Sequence, residues 1–204
     1  MLDVIDENVD KLIFDCWKSV QKKIENGHPL SSEKTLCFIF SMELFNRVGD
    51  NLTIDFENQC YEDVQGKSKY LDLLFYTDES FKVGIEFKLP QKSKSGNSNQ
   101  TQTRERVYRD LARLNYLKTS PLKISAGYFL MAVNEDAYLN TGSYKKALDC
   151  VIAEGHTLNK DNHLSIDGLS LSGMSFKFGW QKIKKSEKKN TKEGAYAWLN
   201  PIRV

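Results

Sequence analysis

The spacing of apolar positions along this chain changes several times, and each change marks an element. From residue 3 to 25, Ile5, Val9, Leu12, Cys16, Val20 and Ile24 recur every three or four positions, the signature of one helix face. A second helix is predicted over 31–48, where Ser31 and Ser32 suit an N-cap and no breaker follows. The period then falls to two. NLTIDFENQCYEDV (51–64), KYLDLLFY (69–76) and VGIEFKLP (83–90) read as three strands, with the polar TDES (77–80) turning the second into the third. Pro90 ends the third strand, and the Gly/Ser/Asn-rich stretch 91–102 is a loop. QTRERVYRDLARLNYLK (102–118) returns to helical spacing through Val107, Tyr108, Leu111 and Leu114. KISAGYFLMAV (123–133) is apolar on both parities, as a central strand buried on both faces would be. A helix closed by Gly155 is predicted over 142–155, two strands separated near Gly173 over 163–183, and a last strand or extended tail over 195–204. This order predicts one α/β domain spanning 1–204, a mixed central sheet flanked by helices, with its core over about 31–155 and C-terminal strands and tail over 163–204.

Parity inside the hairpin decides which side chains meet. Leu71, Leu73, Phe75, Phe81, Val83, Ile85, Phe87 and Leu89 all fall on odd numbers, so they should share the buried face. Asp72, Gly84, Glu86 and Lys88 then share the other face, provided even residues pair with even ones across an odd-length turn or a bulge near 77–81. Glu86 and Lys88 would stand about 7 Å apart on that face. Gly84, lacking a side chain, would leave room between the two carboxylates. Two carboxylates and an ammonium on one patch have two readings. One is a solvated ion cluster, whose pairs are worth under about 1 kcal/mol each. The other is a site. Like charges held close favour a cation or a proton between them, and Mg²⁺ takes one or two carboxylates together with waters and phosphate oxygens. A neighbouring lysine can orient an attacking water or neutralise charge developing on a phosphate.

Asp72, thirteen residues, then Glu86-x-Lys88 on a second strand resembles the PD-(D/E)XK nuclease superfamily, over roughly residues 31–133. Leu71 stands where that family often has proline before the aspartate. The resemblance implies a restriction-endonuclease-like core and a Mg²⁺-dependent phosphodiesterase, with Mn²⁺ substituting. It implies Asp72, Glu86 and Lys88 as catalytic residues, with Asp72 and Glu86 as metal ligands. The family places a further acidic ligand on the helix before the first strand. Glu43 matches that position, lying in the apolar stripe of Leu36, Ile39 and Phe40, where a carboxylate is costly unless paired or coordinated. A salt bridge to Arg47 one turn later is the plain alternative. Many members carry Gln-x-x-x-Tyr on the helix after the third strand, with the glutamine reaching the active site; here the spacing is filled by Arg104-x-x-x-Tyr108, a departure that makes Arg104 a candidate for holding the scissile phosphate bidentately.

Charge sharpens the picture. The net charge is only +2, but residues 1–87 hold 9 Lys or Arg against 17 Asp or Glu, while residues 88–123 hold 9 against 2. Residues 181–192 add 6 lysines against Glu187. The sign reverses at the end of the strand carrying Glu86, as a phosphate-binding face would require. Arg106, Arg109 and Arg113, with Gln102, form a helix stripe that either contacts backbone phosphates or is a solvated face; Lys92 and Lys94 sit in the loop at the mouth of the site, either a nucleic-acid-binding flap ordered by substrate or a plainly disordered loop. The expected partner is nucleic acid, DNA favoured over RNA, with room for a homodimer. The four scattered cysteines form no C-x-x-C pair, and no histidine has metal or nucleophile spacing, which disfavours zinc and Ser–His chemistry. No long apolar run or signal peptide is seen, so the expectation is a cytoplasmic protein without a membrane span. The sequence therefore points to a metal-dependent DNA endonuclease. The rival is a non-catalytic nucleic-acid-binding or interaction module that keeps the nuclease fold.

Overall fold

The computed structural model describes residues 3–64, 69–92, 98–140, 150–182 and 196–204, with side chains from residue 8 onward. Two helices come first, α1 (Asp3–Glu25) and α2 (Glu33–Val48). The Ser32 hydroxyl accepts from Thr35 N and caps α2. Three strands follow: β1 (Thr53–Gln59), β2 (Tyr70–Tyr76) and β3 (Val83–Lys88). Helix α3 (Gln100–Leu117) then crosses over to β4 (Ala126–Val133), which lies parallel to β3. After a short 3-10 turn at Asp136–Tyr138 come β5 (Thr157–Leu158), β6 (Ser165–Ile166), β7 (Leu169–Ser170), β8 (Phe176–Lys177) and β9 (Trp180–Lys182). Strands β10 (Ala197–Leu199) and β11 (Ile202–Arg203) end the chain.

The main sheet runs β1-β2-β3-β4-β10-β9, with β11 also paired to β4. It is mixed because β2–β3 is a hairpin and β3–α3–β4 a crossover. The expected α/β architecture holds at that level. Two cores lie against its two faces. On one side Val83, Ile85, Phe87, Leu73, Phe75, Tyr128 and Leu130 pack under α1 and α2. On the other, Leu71, Leu74, Phe129 and Met131 pack under α3 and the C-terminal segment. Strand β4 is buried along its whole length, as its unbroken apolar run predicts. Among the described residues no helix is long and apolar enough to cross a membrane.

Three sequence expectations change. The region 163–183 forms four short strands rather than two: β6 and β7 make a small ladder against α3, β8 pairs with β5, and β9 joins the edge of the main sheet. Residues 141–149 of the predicted helix 142–155 lie outside the described residues, and 150–155 are not helical. Leu71 leaves the odd-numbered set and packs on the α3 side with Leu74. The cause is local. The β1–β2 register passes over Glu57 and Asp72, and Glu57 adopts a left-handed φ of 52°, so β2 twists at Asp72.

Candidate active site

Hairpin register is the foundation of the site. Leu73 pairs with Ile85, Leu74 with Gly84 and Phe75 with Val83, so even residues meet even ones, as the apolar parity requires. The ladder stops there, and Asp72 and Glu86 come together where β2 and β3 part. The Asp72 carboxylate takes over the missing backbone acceptor: its Oδ2 receives the Phe87 N–H at 2.7 Å. A carboxylate that replaces a ladder partner explains how an aspartate survives in a strand.

This face is not solvated. Glu86 is 3% exposed, and α3 covers it. Gly84 does not open a gap for a ligand, because a Cβ there would lie 3.2 Å from Leu71 Cδ2 and 3.3 Å from Ile124 Cδ1. The glycine lets α3 and its flanking chain approach the sheet. The room expected at Gly84 is filled by hydrocarbon.

Around Asp72 and Glu86 the structure gathers residues that the hairpin pattern did not name. Tyr61, fully buried just after β1, donates its hydroxyl to Glu86 Oε1 at 3.0 Å. The Arg113 guanidinium stacks on the Tyr61 ring, 3.8 Å from its centroid, and lies 3.8 Å from Asp110 Oδ1. Lys88 Nζ is 3.0 Å from Asp110 Oδ2, a charge contact outside hydrogen-bond alignment, and 3.7 Å from Glu33 Oε1. Glu33 Oε2 in turn accepts the Leu89 N–H at 2.9 Å. Lys88 therefore ties α2, on one face of the sheet, to α3 on the other.

Electrostatics follow from this crowding. Four carboxylates, Glu33, Asp72, Glu86 and Asp110, surround two cations, Lys88 and Arg113. Burial, reinforced by Asp72 and Asp110, pushes the Glu86 carboxyl well above the usual range. Burial also raises Asp72, against the Phe87 N–H and Lys88, and it raises Glu33. Asp72 and Glu86 are within hydrogen-bonding reach of each other, so one proton can be shared between them. Burial pulls the Lys88 pKa down, but Asp110, Glu33, Glu86 and Asp72 outweigh it and hold the ammonium protonated. Such a lysine donates hydrogen bonds and charge; it does not accept a proton.

The remaining sequence candidates fall elsewhere. Glu43 is not with these carboxylates: it faces α1, where Lys23 Nζ lies at 2.8 Å and Arg47 Nη1 at 2.7 Å. The α2 carboxylate that does reach the cluster is Glu33. Arg104 is 2% exposed and donates to the Ala137 carbonyl, with Tyr138 beneath it, so it is a buried strut. Arg109 pairs with Asp167, and Arg113 belongs to the acidic cluster, so the basic stripe is not a free face. Arg106 alone of the three arginines is exposed. Lys92 is exposed, its backbone N–H bonded to Asn134; Lys94, like most of the lysine run at 181–192, lies outside the described residues. Asp110 was within reach of sequence reasoning. It sits three residues after Val107 and four before Leu114, an acid in an apolar stripe, the same signal that drew attention to Glu43.

Among the described residues no three His, Cys, Asp or Glu side chains form a ready-made metal cage. The donors that fit a divalent cation are Asp72 and Glu86, since Mg²⁺ completes its shell mostly with water and substrate oxygens. Among the described residues the cluster holds four carboxyl groups against two cations, which fits the same ion. Comparison of the chain with protein-family models, with curated proteins and with solved structures finds no match.

Proposed function

We propose that this protein is a metal-dependent nuclease on a restriction-endonuclease-like core, a DNA endonuclease using Mg²⁺, with Mn²⁺ able to replace it. One observation carries this reading. The half-buried Asp72 and the fully buried Glu86 come together beside Lys88, and among the described residues the acids around them outnumber the cations. A purely structural cluster of this burial would be expected to reach charge balance.

Asp72 and Glu86 would hold the metal, which when bound supplies Lewis acidity toward a phosphate oxygen and a lowered water pKa. The rest is work for this chain's own groups. Lys88, kept protonated, offers donors to the attacking water or to the phosphate oxygens on which charge develops. Asp110 and Glu33 fix its ammonium. Tyr61 fixes Glu86, and Arg113 fixes Tyr61. A rival reading, a binding module without catalysis, draws on the same Lys88 contacts, which also brace α2 against α3.

The deciding experiment incubates the protein with plasmid, linear duplex, single-stranded DNA and RNA, with Mg²⁺, with Mn²⁺ and with chelator. Cleavage of DNA that needs metal and is lost in Lys88→Ala is the expected result. No cleavage of any substrate by folded wild-type protein with either metal would overturn the enzyme reading in favour of the binding module.

A further inference from the structure

The acidic cluster is specific about how many ions it can hold. Half of each central carboxylate already has a donor: Asp72 Oδ2 accepts the Phe87 N–H at 2.7 Å, and Glu86 Oε1 accepts the Tyr61 hydroxyl at 3.0 Å. Asp72 Oδ1 and Glu86 Oε2 are left, one oxygen from each side chain. Two carboxylate oxygens, completed by waters and substrate oxygens, are the ordinary shell of one Mg²⁺. Charge gives the same count. Among the described residues four carboxyl groups stand around Lys88 and Arg113, so with every acid ionised one divalent ion brings the sum to zero. A second would leave a surplus of positive charge in a buried place, which is costly.

The two outer acids are already taken. Lys88 rises from β3 with its Nζ 3.0 Å from Asp110 Oδ2 on α3 and 3.7 Å from Glu33 Oε1 on α2. The Asp110 side chain is 7% exposed, and its Oδ2 accepts no hydrogen bond among the described residues. Arg113 lies against the other oxygen, 3.8 Å from Oδ1. An anionic oxygen buried without a donor requires a cation against it, and the Lys88 ammonium is that cation. In two-metal phosphoryl-transfer sites a second ion stands within about 4 Å of the first and stabilises the oxygen on the other side of the phosphorus. Lys88 has the acidic partners of such an ion, with a single charge fixed on a side chain.

We propose that the Asp72–Glu86 site takes one divalent ion, and that the Lys88 ammonium, clamped between Asp110 and Glu33, occupies the place of a second. Asp110 is then a positioning residue: it acts through Lys88, holding a positive charge beside the metal ligands where a second ion would otherwise bind. The inference rests on the nuclease reading and adds to it a metal stoichiometry.

Equilibrium dialysis of the full chain against Mn²⁺ counts the ions, and electron paramagnetic resonance shows whether two of them are neighbours. Wild type is expected to bind one ion, with the signal of an isolated Mn²⁺. Lys88→Met keeps the length of the side chain and removes its charge, so a second ion should enter against Asp110 and Glu33 and couple magnetically to the first. Adding Asp110→Asn to Lys88→Met should return the count to one, which a general loosening of the fold would not do. A coupled pair in wild type or in the double variant, or a single isolated ion in Lys88→Met, would overturn the proposal. The wild-type spectrum needs no substitution, so the test still decides if Lys88→Met folds poorly. Wild type that binds no Mn²⁺ would overturn the nuclease reading itself, and this inference with it.

Discussion

Two sets of carboxylates, each with at least one buried member, flank the same sheet, and they differ in how their charge is answered. Glu43 meets two cations at hydrogen-bond distance, Lys23 from α1 and Arg47 from its own helix. Burial pushes its carboxyl up, yet those two partners outweigh burial and hold it below the ordinary range. In the other set, Asp72, Glu86, Glu33 and Asp110 share Lys88 and Arg113, and burial raises Asp72, Glu86 and Glu33. A buried acid with its own cations is a brace. Close-set acids outnumbering their cations form a group that a further cation, or a proton, would relieve.

The sharpest way to break this comparison is to remove one charge from each set. Asp72→Asn and Lys88→Ala are each expected to lower metal-dependent cleavage by at least about 10²–10³, the usual cost of deleting one preorganised electrostatic group. Asp72→Asn keeps an oxygen for the Phe87 N–H and removes one repelling charge, so unfolding of the metal-free variant should need at least as much denaturant as wild type. Glu43→Gln should behave oppositely, losing about 1–2 kcal/mol in a urea titration because Lys23 and Arg47 lose a charged acceptor, while cleavage stays within a few-fold of wild type. If Glu43→Gln kills activity and Asp72→Asn unfolds the chain, the assignment of brace and site is reversed.

How much of this was legible in the sequence depends on the range of the interaction. Strand parity placed Asp72 against Glu86 because a period of two leaves no other register that buries the apolar set. The central strand and the two-helix start were equally readable from their apolar runs. Helix partners were not. Glu43 and Asp110 give the same sequence signal, an acid in an apolar stripe, but one faces Lys23 of α1 and the other Lys88 of β3. That difference lies in tertiary packing. Tyr61 lacked any local signal, because only the turn after β1 carries its hydroxyl back to Glu86. The short C-terminal strands, two or three residues each, lie below the length at which periodicity can be recognised.

The pH dependence of stability separates the two sets more finely. Glu86, Asp72 and Glu33 titrate above the range they have in the unfolded chain. Between the two ranges the folded state binds more protons than the unfolded one, so these groups make stability fall as pH rises. His156, held below its ordinary value by burial, works in the opposite direction in part of that interval. The informative quantity is therefore a difference. Metal-free Glu86→Gln should lose less stability than wild type between about pH 5 and about pH 8, measured by urea unfolding. Identical slopes would mean that Glu86 is already balanced in the folded protein.

The smallest effect concerns the basic stripe of α3, where the same accounting of counter-charges applies to cations. Arg109 is answered by Asp167 and Arg113 by Asp110, whereas Arg106 is exposed and makes no ion pair among the described residues. Only an unanswered cation gains by meeting a phosphate. Arg106→Gln is therefore expected to weaken duplex binding about equally for all sequences and to reduce the slope of log K against log salt by about 0.9, one phosphate contact. Arg109→Gln should leave that slope alone, since its charge is already spent on Asp167 and the loss would appear in stability. Fluorescence anisotropy with a labelled duplex between about 50 and 200 mM salt measures both variants. If Arg109→Gln flattens the slope as much as Arg106→Gln does, the Asp167 pair opens on binding, and counting ion pairs in the free protein does not identify its phosphate contacts.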